Sequence, residues 1–183
     1  MKRWMSLLLL CIWLPACAGL AEPAYEKYRY YFFNTFDTVV TLTAYAKDQA
    51  EFDAYAALVE SEMTRYHRVF DLYHAYDGVY NLNYLNENAG KEPARAEPEL
   101  IDLLQLIKAW RAEYGTALDP AMGGVLGLWH DAREDGTVLP DQVLLEQAAQ
   151  HMDYDQVIID PNTLTVFYAD PVILLDLGAV AKG

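Results

Sequence analysis

Serine is almost absent from this chain. Ser6 and Ser61 are the only two, and neither lies in the glycine-flanked elbow on which a serine hydrolase mounts its nucleophile. Cysteine is confined to positions 11 and 17, so everything beyond Cys17 has no thiol. That excludes a cysteine nucleophile, a thiolate metal site and a disulfide from the folded part. Basic residues are scarce: 13 Lys and Arg stand against 27 Asp and Glu, for a net charge of −14. A surface of that sign repels phosphate backbones and argues against a nucleic-acid partner. The phosphate-binding run of glycine, four residues and Gly-Lys-Ser/Thr is missing, as is the G-x-G-x-x-G fingerprint of dinucleotide folds. No internal repeat or low-complexity stretch is present. An acidic protein that takes a phosphate ester must therefore recruit positive charge locally, and a divalent ion held by oxygen ligands is one way to do so.

The first residues read as a targeting segment. Lys2 and Arg3 precede an uncharged apolar run over 7–14, too short to span about 30 Å of hydrocarbon. Small residues before Cys17 make residues 1–17 a signal peptide with a lipobox, Cys17 being the lipidated residue. Cleavage after Ala18 or Ala21, giving a secreted protein, is the alternative. A lipidated Cys17 anchors the protein at a membrane, each buried CH₂ contributing about 0.8 kcal/mol. Residues 22–183 are long enough for one domain with a real core.

Alternating Val40, Leu42 and Ala44 against Thr41 and Thr43 predict an extended strand over 28–46, bent near Asn34. The period then switches to three and four: Phe52, Tyr55, Val59, Met63, Tyr66 and Phe70 predict a helix over 49–70 with that stripe in the core. Residues 86–97 read as a loop. Glu97-Pro98 opens a helix through Tyr114, buried on Leu100, Leu103, Leu104, Ile107, Trp110 and Tyr114, with Gly115 as its stop. A shorter helix follows over 141–151. The runs 156–159 and 165–168 flank Asp160-Pro161-Asn162 as a β-hairpin, and 171–177 reads as an apolar strand. Asp131, Glu134 and Asp135 are assigned to a solvated loop, and His67, His130 and His151 to structural or solvated roles, with Trp129-His130 also a candidate pocket wall through its link to the Asp119 segment. Helices and strands do not strictly alternate, so the class is α+β, a mixed sheet with packed helices.

Three segments carry chemistry. Phe36-Asp37-Thr38 opens the alternating strand, and residues 116–124 follow a helix stop with Asp119-Pro120 and Gly123-Gly124. Residues 176–183 place Asp176, Gly178, small residues and Lys182 at the end of an apolar strand. There, backbone amides and a cation can meet an anion. Taken singly, each segment is equally well a tight turn.

Together they resemble the FAD:protein FMN transferase (ApbE) family. Leu118-Asp119-Pro120-Ala121-Met122-Gly123-Gly124-Val125-Leu126-Gly127-Leu128-Trp129 matches that family's Phe-Asp-Pro-Thr-Val-Gly-Pro-Leu-x-x-Leu-Trp stretch. Asp176-Leu177-Gly178-Ala179-Val180-Ala181-Lys182-Gly183 matches its Asp-Leu-Gly-Gly-Ile-Ala-Lys-Gly signature. Phe36-Asp37-Thr38 and the segment from Tyr73 to Asn83 are looser counterparts of two further motifs. Phe36 stands where the family has methionine, and His74 where it has arginine.

The resemblance implies an ApbE-like fold and transfer of FMN from FAD to a threonine hydroxyl of an acceptor protein, with Mg²⁺ or another divalent cation and release of AMP. Phe36 and Tyr73 would pack against FAD; Ala117, Leu118 and Asp119 would line its pocket; Asp176 and Lys182 would contact it; the Ala179 carbonyl would ligate the metal. The family fold continues for about as many residues again. The resemblance therefore implies that 22–183 is the N-terminal part of one domain, with the catalytic side chains beyond Gly183 and little turnover from these residues alone. The rival readings are a non-catalytic flavin-nucleotide-binding lipoprotein or truncated fragment, and an FAD hydrolase giving FMN and AMP.

Overall fold

The computed structural model describes residues 24–136 and 139–181. The signal peptide, Cys17 and Lys182 lie outside the described residues. Strand β1 (Glu26–Thr35) pairs antiparallel with β2 (Thr38–Ala46), so residues 28–46 form a hairpin and not one bent strand. Alternation could not reveal the reversal, because the inward residues keep even numbers on both sides of the turn: Phe32 faces Val40, Tyr30 faces Leu42, and Tyr28 faces Ala44. Nor does the turn carry the usual Asn-Gly signal. Its two central residues, Phe36 and Asp37, adopt φ values of 53° and 49°, and Asn34 sits at 74° where the register shifts.

Helix α1 (Gln49–Phe70) matches the expected span and begins at Asp48, whose side chain accepts from the Glu51 amide. It buries Phe52, Ala56 and Val69; Tyr55 is 40% exposed, because the face that meets the hairpin is narrower than the aromatic stripe. Tyr28 stacks on Phe52 with centroids 5.2 Å apart, and Tyr30, Leu42 and Ala44 complete this small core.

The second, larger core starts with α2 (Leu82–Glu87) and β3 (Ala94–Arg95), both inside or beside the stretch read as loop. Six- and two-residue elements are too short to show a period. Helix α3 (Pro98–Tyr114) follows, ending at Gly115 with φ 88°. It buries Leu100, Ile101, Leu104 and Ile107, while Trp110 and Tyr114 lie on its exposed side at 45% and 73%. Helix α4 (Gly123–Asp135) carries Asp131, Glu134 and Asp135, which corrects their assignment to a loop. Two glycines at its start and few large apolar residues after Trp129 had masked the helical period. Helix α5 (Gln142–Ala149), a 3₁₀ turn (Tyr154–Gln156) and the hairpin of β4 (Val157–Asp160) and β5 (Thr165–Tyr168) complete the order. β3, β5 and β4 form an antiparallel sheet in that spatial order. Among the described residues, no helix is long and apolar enough to cross a membrane.

Residues 171–177 alternate in burial as a strand would, with Ile173, Leu175 and Leu177 in the core, yet they join no sheet. Their backbone groups find other partners. The Asp176 amide donates to the Pro120 carbonyl (2.8 Å), the Leu174 carbonyl accepts from Gly123 (3.0 Å), and Leu174 makes a lone parallel bridge with Met122. The Asn86 side chain takes both backbone groups of Leu175. Pairing by single side chains and loop carbonyls replaces a ladder, which no hydropathy pattern can announce.

Candidate functional site

The hairpin tip, the C-terminal end of α1, the loop after it, the last turns of α4 and residues 176–181 surround a cleft of about 610 Å³. Phe36, Tyr73 and Asp176, far apart in sequence, all line it. Phe36 is held in its left-handed turn by His67: its amide donates to His67 Nδ1 at 3.2 Å, and the two rings meet edge to face at 5.6 Å. A phenylalanine at positive φ is uncommon and costs on the order of 1–3 kcal/mol, so surrounding contacts must hold it there.

The loop carrying Tyr73 is organised by Asp71, whose carboxylate is 3% exposed. Asp71 Oδ1 accepts from the amides of Tyr73 (2.7 Å) and His74 (3.3 Å). Oδ2 accepts from His74 Nδ1 (2.9 Å) and the Tyr76 hydroxyl (2.7 Å). Burial alone would raise the Asp71 pKa, but these donors outweigh it and hold the carboxyl below its ordinary value of 3.8. Burial and the same carboxylate push the Tyr76 hydroxyl up to about 12. Asn81, wholly buried, donates to the carbonyls of Arg68 (3.0 Å) and His74 (2.8 Å) and caps α2 through the Tyr84 amide (3.0 Å). Helix α1, the Tyr73 loop and α2 are therefore tied through one side chain.

The Asp71 shift fixes a sign. A carboxylate with a lowered folded-state pKa adds stability that is fully present above its unfolded value and is lost as pH falls through the folded one. The melting temperature of the chain is expected to fall below about pH 4, and Asp71→Asn to flatten part of that decline. Parallel pH profiles for the two proteins would remove Asp71 from this role.

Tyr73 is more than half exposed, and its ring packs on His130 with centroids 5.5 Å apart. Burial and the Asp176 carboxylate raise its hydroxyl pKa, and Arg133 partly offsets them. Asp176 Oδ1 accepts from the Gly178 amide at 2.7 Å, forming a tight turn at the cleft wall.

The remaining expected residues lie elsewhere. Asp119 is tied to Arg111 (2.8 Å) in an ion pair whose side chains are 13% and 7% exposed, and Arg111 also donates to the Leu118 carbonyl (2.9 Å). Asp119 Oδ1 accepts from the Ala121 amide. This clamp shapes the loop that holds Asp176 through Pro120, and none of its members lines the cleft. Leu118 packs on the main core, and Ala117 is exposed. Ala179 lines an adjoining apolar groove with Phe70, Leu106, Ile107 and Trp110.

His67, Asp71, Arg133 and Glu134 are cleft residues that the sequence did not single out, while His130 lines the cleft wall as its place after the Asp119 segment suggested. His67 does fall on the inward side of α1, one turn before Phe70, which is the one signal that could have found it. Among the described residues no three His, Cys, Asp or Glu side chains converge on a point where a cation would sit. Of the expected ligands they offer the Ala179 carbonyl, which does not by itself make a metal site.

This architecture is that of solved flavin transferases. An ApbE protein from Thermotoga maritima superimposes with a TM-score of 0.73 at 22% identity, over 86% of this chain and 49% of its own. The flavin transferase ApbE from Vibrio cholerae gives 0.69 at 17% identity, over 87% and 50%. The ApbE family model matches residues 36–183, and the chain belongs to that family. Two curated relatives, both named FAD:protein FMN transferase, are 30% identical. The one from Klebsiella pneumoniae matches over 63% of this chain and 39% of its own length, and the one from Treponema pallidum over 80% and 41%. The chain thus spans about two fifths of the length of these relatives.

Proposed function

We propose that the protein binds FAD in the cleft bounded by Phe36, Tyr73 and Asp176 and supports transfer of its FMN half to a threonine hydroxyl of an acceptor protein, releasing AMP. The observation that carries this reading is the convergence of those three residues, remote in sequence, on one cavity large enough for a ring system. Two aromatic side chains offer apolar faces to a flavin, and the Asp176 carboxylate offers an acceptor to its polar edge. The names of the curated relatives supply the substrate.

In the transfer, the threonine oxygen forms a new P–O bond to the FMN phosphorus and the bridging P–O bond breaks. AMP carries away the bridging oxygen, and the hydroxyl proton is released. Mg²⁺, when bound, would neutralise charge on the phosphates; the described residues do not complete its ligand set, so the chain's own part is to hold the flavin. Tyr73, packed on His130 and fixed by the Asp71 network, and Phe36, fixed by His67, are positioned before substrate arrives, which lowers the ordering cost of binding. Export and attachment to a membrane through lipidated Cys17 belong to the same reading, supported by the N-terminal sequence.

Flavin fluorescence titration and an assay with FAD, Mg²⁺ and a threonine-bearing acceptor test it. FAD binding is expected, with Asp176→Ala weakening it about tenfold or more, as loss of a charged hydrogen bond predicts. AMP release together with covalently bound flavin on the acceptor supports transfer. AMP without covalent flavin reassigns the reaction to FAD hydrolysis, bound but unchanged FAD leaves a binding protein, and no binding ends the proposal.

A further inference from the structure

Helix α4 brings something to the cleft beyond the motif that opens it. Pinned at Gly123 to the Leu174 carbonyl, it runs about 20 Å at 1.5 Å per residue, which carries its last two turns past Tyr73. There His130, Arg133 and Glu134 line the same cavity as Asp176. Arg133 Nη2 donates to His130 Nδ1 at 3.0 Å. A guanidinium can only donate, so Nδ1 is the acceptor and the ring proton sits on Nε2, which faces Glu134 Oε1 at 3.7 Å. Arg133 thus holds one edge of the His130 ring, whose face packs on Tyr73.

What distinguishes Arg133 is its place on the cleft wall. Arg65 is matched by Glu62 and Glu99, and Arg111 by Asp119. Arg133, like Arg29, Arg68 and Arg95, has no ion pair with a described side chain, and its one polar partner there is the His130 ring. It is also the one Lys or Arg among the described residues lining a cleft that carries Asp37, Asp71, Glu134 and Asp176. Among the described residues this exposed guanidinium is the one permanent cation an anionic nucleotide meets on the cleft wall, and its remaining N–H donors match phosphate oxygens in a forked geometry.

We propose that Arg133 is a substrate-binding residue that engages a phosphate of FAD, with His130 as the positioning residue that aims it. The inference rests on the flavin-nucleotide reading of the cleft and adds the residue that reads the anionic part of the ligand. The bland alternative is that Arg133 serves the C-terminal end of α4, where a cation is favoured by the helix dipole.

Affinities of the chain for FAD and for riboflavin, which lacks phosphate, separate the two. Arg133→Gln is expected to weaken FAD about tenfold or more, to leave riboflavin unchanged and to reduce the salt dependence of FAD binding; Arg133→Lys is expected to recover part of the loss. Equal FAD affinity in wild type and Arg133→Gln overturns the proposal. So does an equal loss for riboflavin, or a drop in melting temperature with no selectivity between ligands, since these are marks of a helix-end role. Failure of the wild-type chain to bind FAD tells against the flavin reading itself and is seen before any variant is made.

Discussion

Asn86→Ala is expected to lower the unfolding free energy by about 3–5 kcal/mol, the cost of stranding three buried polar groups at about 1–3 kcal/mol each with partial relaxation. Asn86 Nδ2 donates to the Leu175 carbonyl at 2.9 Å, and its Oδ1 accepts from the Leu175 amide and the Tyr168 hydroxyl, both at 3.0 Å. Leu175 is 1% and Tyr168 2% exposed, so water cannot take over. The amide side chain stands in for a neighbouring strand: it gives residues 173–177 the one donor and one acceptor that a ladder would have supplied. Asp176 follows directly, so the loss is expected to reach the cleft as weaker FAD binding as well. Asn86→Asp provides the finer test, keeping an acceptor but removing the donor and adding a buried charge. It too is expected to destabilise. Denaturant unfolding of the three proteins measures both effects, and a cost under about 1 kcal/mol for alanine would show that the segment is held by apolar burial alone.

Gly123→Val is expected to displace the same segment from the other side. A Cβ at Gly123 would lie 2.5 Å from the Leu174 carbonyl oxygen and 2.9 Å from its carbon, and these are backbone atoms that cannot rotate away. Relief requires α4 to back off from residues 173–177, which breaks the Gly123–Leu174 hydrogen bond and the Pro120–Asp176 contact beside it. Overpacking of this kind costs about 1–3 kcal/mol, with the branched side chain at the upper end. Gly127, one turn further on, provides the control, since a Cβ there meets nothing within 4 Å. Gly127→Ala is expected to stabilise the helix by about 0.5–1 kcal/mol. Thermal unfolding that ranks the two variants in the opposite order would refute the account of how α4 docks.

Both predictions concern residues that look unremarkable in the sequence. Asn86 was read as the first residue of a loop, and Gly123 as part of a sharp turn. The long periodic elements were legible: α1 and α3 came out at their observed bounds, because seventeen or more residues repeat the helical period and Pro98 and Gly115 mark the ends of α3. The β4–β5 hairpin was marked by Asp-Pro-Asn. Faces were read less well. Tyr55, Trp110 and Tyr114 are large and apolar at plausible spacings yet stay exposed, since the width of a buried stripe is set by what packs on it. The family motifs located Phe36, Tyr73 and Asp176, which the fold gathers into one cleft. The same motifs also pointed to Asp119, which the fold commits to Arg111 in a buried clamp outside that cleft.

The sequence by itself determined the α+β class, the two long helices, the absence of thiol and serine chemistry, and the family, because each depends on local period, composition or contiguous motif. Tertiary structure alone decided that 28–46 folds back on itself, that 171–177 is held by Asn86 and Gly123 and not by a sheet, and that Arg133 joins Asp176. Those outcomes depend on hydrogen-bond partners and approach distances between residues up to about ninety positions apart, which no period along the chain encodes.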